Sequence, residues 1–191
     1  MRFCFPTTFY PPQSFGGDAI AVKRLAQALV KRGHQVTVVH DADAYTALHR
    51  GPAPVEAKVD DGVDVITLRS WARNLSPLVT QQTARPVFNG ARLREILEDP
   101  SFDVINYHNV SLIGGPGLFS YGHAAKIYTA HEHWLVCPTH VLWRYNRETC
   151  DAKECVRCQL AYRRPPQLWR LGKTLERSLS NIQIFLALSE F

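Results

Sequence analysis

Four of the chain's five cysteines fall in one short stretch, where Cys137, Cys150, Cys155 and Cys158 have the spacing C-x12-C-x4-C-x2-C. Thiolates spaced in this way can close a tetrahedral zinc site, the last two chelating one ion while the longer loops return the others. The ion would be structural, holding an insertion too small and polar to fold alone. An iron–sulfur cluster, a labile disulfide or reduced thiols are the alternatives, and His140 is a substitute ligand. Four thiolates around Zn(II) carry a local charge of about −2, which neighbouring arginines could offset.

A second set of chemically capable side chains stands at the ends of apolar runs. "FDVINYHN" ends in His108 and Asn109, and "AAKIYTAHEH" ends in His131, Glu132 and His133. In "FGGD", Gly16 and Gly17 precede a helical pattern. Paired glycines allow a ligand close to the backbone, and the free N–H groups of a first helical turn favour phosphate or carboxylate. The plainer readings are a turn into an Asp18 cap and hydrogen-bonded histidines at strand ends.

The elements that would position these groups alternate. "MRFCFPTT" predicts a strand, and "DAIAVKRLAQALVKRGH" a helix with Ile20, Leu25, Ala28 and Leu29 near helical spacing, capped by Asp18 and stopped at Gly33. "QVTVVHD" and "GVDVITL" predict strands, separated by polar residues 42 to 60; the segment from Pro77 to Arg85 shows no clear pattern. "VFNGARLREILED" predicts a helix, "FDVINYH" and "AAKIYTAH" strands, "PPQLWRLGKTLERSLSN" one amphipathic helix, and "IQIFLALSEF" a buried strand with Ser189 and Glu190 facing a cleft. The expected fold is α/β, a Rossmann-like, open, mostly parallel sheet with helices on both faces, plus a small cysteine-rich insertion. Ligands of such sheets bind beyond the carboxyl ends of the strands, so Gly17, His108, Asn109 and His131 should share one cleft.

Composition narrows the partners. The chain has 191 residues, 46% hydrophobic, and a net charge of +5. Residues 141 to 177 hold nine Lys or Arg against four acids, and the rest balances thirteen against thirteen, so the whole excess belongs to the cysteine region and the helix after it. That helix carries Arg163, Arg164, Arg170, Lys173, Arg177 and Trp169, which suits peripheral contact with anionic lipid, a wet basic face being the plainer reading. No apolar run of eighteen residues and no export signal is visible, so the expected place is the cytoplasm, with association at the inner membrane face. Cys4 lies in the first apolar run and is expected to be core. G-x-G-x-x-G is missing, which disfavours a dinucleotide site despite Asp41 at a strand end, and "GPGLFSYG" lacks the Lys-Ser/Thr of a P-loop. No nucleic-acid-binding motif is present.

In order and spacing, "FYPPQSFGGDAIAVKRLAQALVKRGHQVTVVH", "FDVINYHN", "YTAHEHW" and "FLALSEF" resemble the N-terminal half of the large retaining glycosyltransferase family with the GT-B fold, of the group 1 or family 4 type. The resemblance spans the chain apart from the cysteine insertion at residues 137–165. It implies that residues 1–191 form the acceptor-side Rossmann-like domain of a hexosyltransferase of polysaccharide or lipid-linked glycan synthesis. A donor-binding C-terminal domain would be absent, the fragment would be inactive alone, and the ending at Phe191 reads as a cut. Gly16 and Gly17 match the loop over the donor's diphosphate and sugar, His131 the cleft histidine near the transferred sugar, and His108 the strand end facing the acceptor; Asn109 and Glu132 fall beside them. The implied co-substrate is a nucleotide sugar, the partner a glycan or lipid-linked acceptor, and no metal is expected in the chemistry. The rivals are a non-catalytic, zinc-stapled Rossmann-like module that binds a sugar or a partner, and a nucleotide-sugar epimerase.

Overall fold

Phe3, Cys4 and Phe5 form an apolar run without alternation, as a strand buried on both faces requires, and they lie in the central strand of the sheet. The computed structural model describes residues 1–49, 51, 54, 55 and 59–188. The chain runs from β1 (Arg2–Pro6) through α1 (Gly17–Lys31), β2 (Gln35–Asp41) and α2 (Ala42–Leu48) to β3 (Val59–Asp60) and β4 (Val63–Leu68). It continues with α3 (Leu75–Thr83), α4 (Gly90–Leu97), β5 (Val104–Tyr107), a 3-10 turn (Gly115–Ser120) and β6 (Ala125–Ala130). The insertion follows as the hairpin β7 (Trp143–Arg144) and β8 (Glu148–Thr149) and the helix α5 (Cys155–Ala161). A 3-10 turn (Leu168–Leu171), α6 (Thr174–Leu179) and β9 (Ile184–Ala187) complete it.

Among the described residues the main sheet has seven strands in the order β3-β4-β2-β1-β5-β6-β9. All neighbours are parallel except β3 and β4. This is the expected α/β Rossmann-like architecture. Side chains alternate between two cores: Phe5, Val36 and Val38 pack with Val22 and Ala26 of α1, while Cys4, Val39 and Ile105 pack with Leu93 and Leu97 of α4 on the other face. Cys4 is fully buried, as expected of a core residue. The chain leaves β1 toward β2 on one side and later returns to place β5 on the other. The strand order therefore reverses at β1, the point where open α/β sheets form their crevice.

Local differences from the expected elements have identifiable causes. Gly16, extended at φ −151°, is the residue before α1, which begins at Gly17; Asp18 lies inside the first turn rather than capping it. The buried face of α1 is made by Ala19, Val22 and Ala26, whose short side chains let the helix sit close to the sheet, while the larger Ile20 and Leu25 flank it, partly exposed. Asp41 caps α2, accepting from the N–H groups of Asp43 (2.8 Å) and Ala44 (3.2 Å), so the polar stretch after β2 starts with a helix. Residues 75–83, without a clear pattern in sequence, are α3. The single helix expected over residues 165–181 is broken at Gly172. Before the break the Trp169 Nε1–H donates to the Gln81 carbonyl and the Arg170 guanidinium to the carbonyls of Trp134 and Leu135, which pulls that turn out of register with α6. β9, expected to be buried, is an edge strand with all four residues exposed. Ser189 and Glu190, expected to face a cleft, lie outside the described residues.

Candidate active site at the carboxyl rim of the sheet

Three strand ends meet at the switch point. His108 N–H donates to the Pro6 carbonyl at 3.1 Å, carrying the pairing of β1 and β5 one residue further. His108 is only 1% exposed; its ring packs edge-on to Phe5, with centroids 4.9 Å apart, and its Nδ1 lies 2.9 Å from Nε2 of His131 at the end of β6. His108 is therefore a buried support for His131, and only His131 reaches solvent.

Burial pushes the His108 imidazole down to about 3, with the neighbouring His131 adding to the effect. Burial also lowers His131, although Asp18 and Glu132 pull it the other way. Both rings are thus neutral at pH 7, so one N–H is shared between them. His108 Nε2 is buried without a partner. An orphaned buried acceptor costs less than an orphaned donor, so Nδ1 of His108 carries the proton and donates to Nε2 of His131. His131 then keeps its own proton on Nδ1, ready to donate.

The glycine loop joins the same rim. Asp18, one residue into α1, accepts from the Asn109 side chain at 3.2 Å, and Asn109 Oδ1 accepts from the Ser111 N–H and hydroxyl at 3.3 and 2.8 Å. Asn109 thereby fixes the start of α1 against the end of β5. A Cβ built on Gly17 would meet nothing within 4 Å, so the space over this backbone is open. Gly16, Gly17, Asn109, His108 and His131 are thus brought together.

Glu132 points its Oε2 at His140 Nδ1, 2.6 Å away, while its Oε1 is buried without a partner. Glu132 and Asn109 line a cavity of about 630 Å³ whose other walls include Leu78 and Gln81 of α3, His140 and Arg164. His133 is exposed. Sequence reasoning missed the His140 partner and α3 as a wall. The positive φ of His140, 75°, closes the turn that returns it to Glu132, and no sequence signal marks that.

Arg170 and Trp169, expected on a free basic helix face, are committed to packing: the guanidinium lies 4.5 Å from the Trp169 ring centre and 5.3 Å from that of Trp134. Cys137, Cys150, Cys155 and Cys158 all line a second cavity, of about 230 Å³. Burial raises the Cys155 thiol, and the other three cysteines raise it further. For Cys137 burial also raises the thiol, but hydrogen bonds from Thr139 and from the backbone of Leu142, Thr139 and Val141 outweigh it and the net shift is downward. Among the described residues, no three His, Cys, Asp or Glu side chains gather closely enough to hold a metal ion. The four cysteines expected as ligands therefore share a cavity without forming a coordination centre in this structure. No described helix is long and apolar enough to cross a membrane.

The sequence profile of Glycosyltransferase Family 4 matches residues 15–191. No curated protein matches the chain. Among solved structures, an alpha-glucosyltransferase in complex with UDP and a 13-mer DNA containing a central A:G mismatch superposes with a TM-score of 0.47 at 13% identity, covering 100% of this chain. The chain spans 37% of the length of that protein.

Proposed function

The chain belongs to glycosyltransferase family 4, and from that premise we propose that it is the acceptor-side domain of a retaining glycosyltransferase that uses a nucleotide sugar and a glycan or lipid-linked acceptor. The observation that carries this reading is the placement of His131, held at 2.9 Å by the buried His108, on the same rim as the open backbone of Gly17 and the cavity beside Glu132.

Retaining transfer passes through an oxocarbenium-like sugar while negative charge builds on the departing diphosphate. Fixed donors at that place lower the barrier without covalent chemistry. In this reading His131 donates to the sugar or its leaving group, and the absent Cβ at Gly16 and Gly17 lets the sugar–diphosphate lie against the start of α1. The Asp18 carboxylate, taken up by Asn109, is kept from repelling it. The acceptor lies in the 630 Å³ cavity, which Glu132 and Asn109 line and where Arg164 supplies positive charge for a phosphate-bearing acceptor. The nucleotide itself is held mainly by a second α/β domain, so turnover needs both.

The test uses the protein expressed from its whole natural reading frame, incubated with a panel of nucleotide sugars and polyprenyl-phosphate-linked or free glycans. Transfer with unchanged anomeric configuration, read by NMR of the product, is expected. Inverted configuration would refute the retaining mechanism, and intact donors across the panel would refute the transferase reading.

A further inference from the structure

We propose that Cys137, Cys150, Cys155 and Cys158 bind one structural zinc ion that fixes the insertion 137–165 against the cleft. The proposal is independent of the sugar-transfer reading and concerns the stability of the insertion.

The insertion has almost no apolar interior. Between residues 137 and 165 only Cys137, Pro138, Thr139, Cys158 and Gln159 are buried, while Val141, Trp143 and Leu160 are exposed. A segment this small cannot be held by its own hydrophobic burial and needs a staple. Its interior is nevertheless rich in sulfur, because Cys137, Cys150 and the α5 pair Cys155 and Cys158 line the same 230 Å³ cavity.

Each thiol is brought there by a defined local structure. Cys155 and Cys158 occupy the first turn of α5 three residues apart, hence on one face. Cys150 directly follows β8, and its N–H donates to the Leu142 carbonyl at 2.9 Å, closing the hairpin. That closure bends the chain through left-handed backbone at Leu142, Tyr145 and Asn146, with φ of 51°, 53° and 59°. Two sulfurs also have hydrogen-bond partners: the Tyr145 N–H donates to Cys158 Sγ at 3.4 Å, and Cys137 Sγ shares a hydrogen bond with the Thr139 hydroxyl at 3.2 Å. Outer hydrogen bonds of this kind orient ligating thiolates.

The oxygen ligands nearby are already spent. Asp151 pairs with Arg144 at 2.8 Å, and Glu154 accepts from the Tyr145 hydroxyl. A set of four thiols selects zinc over magnesium or calcium. Binding converts four thiols into thiolates, releases four protons to solvent and leaves a centre of about −2 that Arg144, on the cavity wall, offsets. The thiols face a common cavity rather than one point, so the ion must draw them in, and order in the insertion follows metal content. The consequence reaches the cleft, since Thr139, His140 and Arg164 are carried by this segment and line the larger cavity.

The full chain, purified without chelator, is analysed for zinc, iron and acid-labile sulfide, and its Co(II)-substituted form by visible spectroscopy. About one zinc per chain is expected, with the intense d–d bands of tetrahedral thiolate in the cobalt form. Cys155→Ser should weaken zinc binding by about tenfold or more, Cys4→Ser should not, and chelation should speed proteolysis within residues 137–165. Zinc below about 0.1 per chain after supplementation, iron with labile sulfide, a disulfide seen as a two-proton mass loss, or full zinc retention by Cys155→Ser would each overturn the proposal. Should Cys155→Ser fail to fold, the metal content and cobalt spectrum of the unaltered chain decide the matter.

Discussion

His108→Asn offers a thermodynamic check on the buried imidazole that sets up His131. In the folded chain burial holds His108 down to about 3, whereas an unfolded histidine titrates at about 6.5. Between these values the unfolded state binds the extra proton, so stability falls as pH falls. From pH 7 to pH 5 the loss covers about 1.5 units below the unfolded value, or about 2 kcal/mol at 1.36 kcal/mol per unit. Asp41 acts in the opposite sense: burial raises its carboxyl to about 7, so the folded state binds that proton first and gains stability over the same interval. The two contributions nearly cancel in the parent chain, which makes a flat profile uninformative. The difference between parent and variant cancels the Asp41 contribution, which is common to both, and leaves that of His108 together with its contact to His131. Asn keeps a donor near the position of Nδ1, and the cavity it leaves costs stability at both pH values. Urea unfolding at pH 7 and pH 5 should show that difference shrinking by about 2 kcal/mol at the lower pH. A difference constant to within about 0.5 kcal/mol would refute a neutral, buried His108 and with it the assignment of the His131 proton.

Two glycines separate ligand approach from folding. Gly17→Ala should leave urea stability within about 1 kcal/mol, because a Cβ there meets nothing within 4 Å, yet reduce donor turnover by about tenfold or more; equal turnover would remove Gly17 from the site. Gly122→Ala should cost about 2 kcal/mol or more, because its φ is +74° and a Cβ would stand 2.2 Å from the Leu97 carbonyl oxygen; a smaller loss by thermal or urea unfolding would show that the end of α4 gives way.

Much of the fold was legible because the strands are short apolar runs: β1, β2, β4, β5 and β6 lie where pattern places them, and parallel order follows from the crossovers between them. The rim was legible for the same reason, since His108, Asn109 and His131 are strand-end residues of neighbouring strands. What periodicity could not show was which histidine is inside. Both histidines end apolar strands, and the packing of Phe5 against the His108 ring is a long-range contact that no strand pattern records. Nor could it show that α1 turns its alanines inward, that Asp18 binds Asn109 across 91 residues, or that Trp169 and Arg170 are consumed by contacts with Gln81 and Trp134. Those depend on side chains from distant parts of the chain, which no local pattern records. The chelating spacing of the cysteines was plain, whereas their gathering at one cavity required the hairpin and α5 to be in place.

The most direct measurement is steady-state glycosyl transfer by the protein from its whole reading frame, comparing the parent with His131→Ala. A fall in kcat of about 10²- to 10³-fold with donor KM nearly unchanged is the result expected of a donor that acts on charge developing in the transition state. An unchanged kcat, in a protein that transfers sugar, would contradict the role given to His131 and the site built around it.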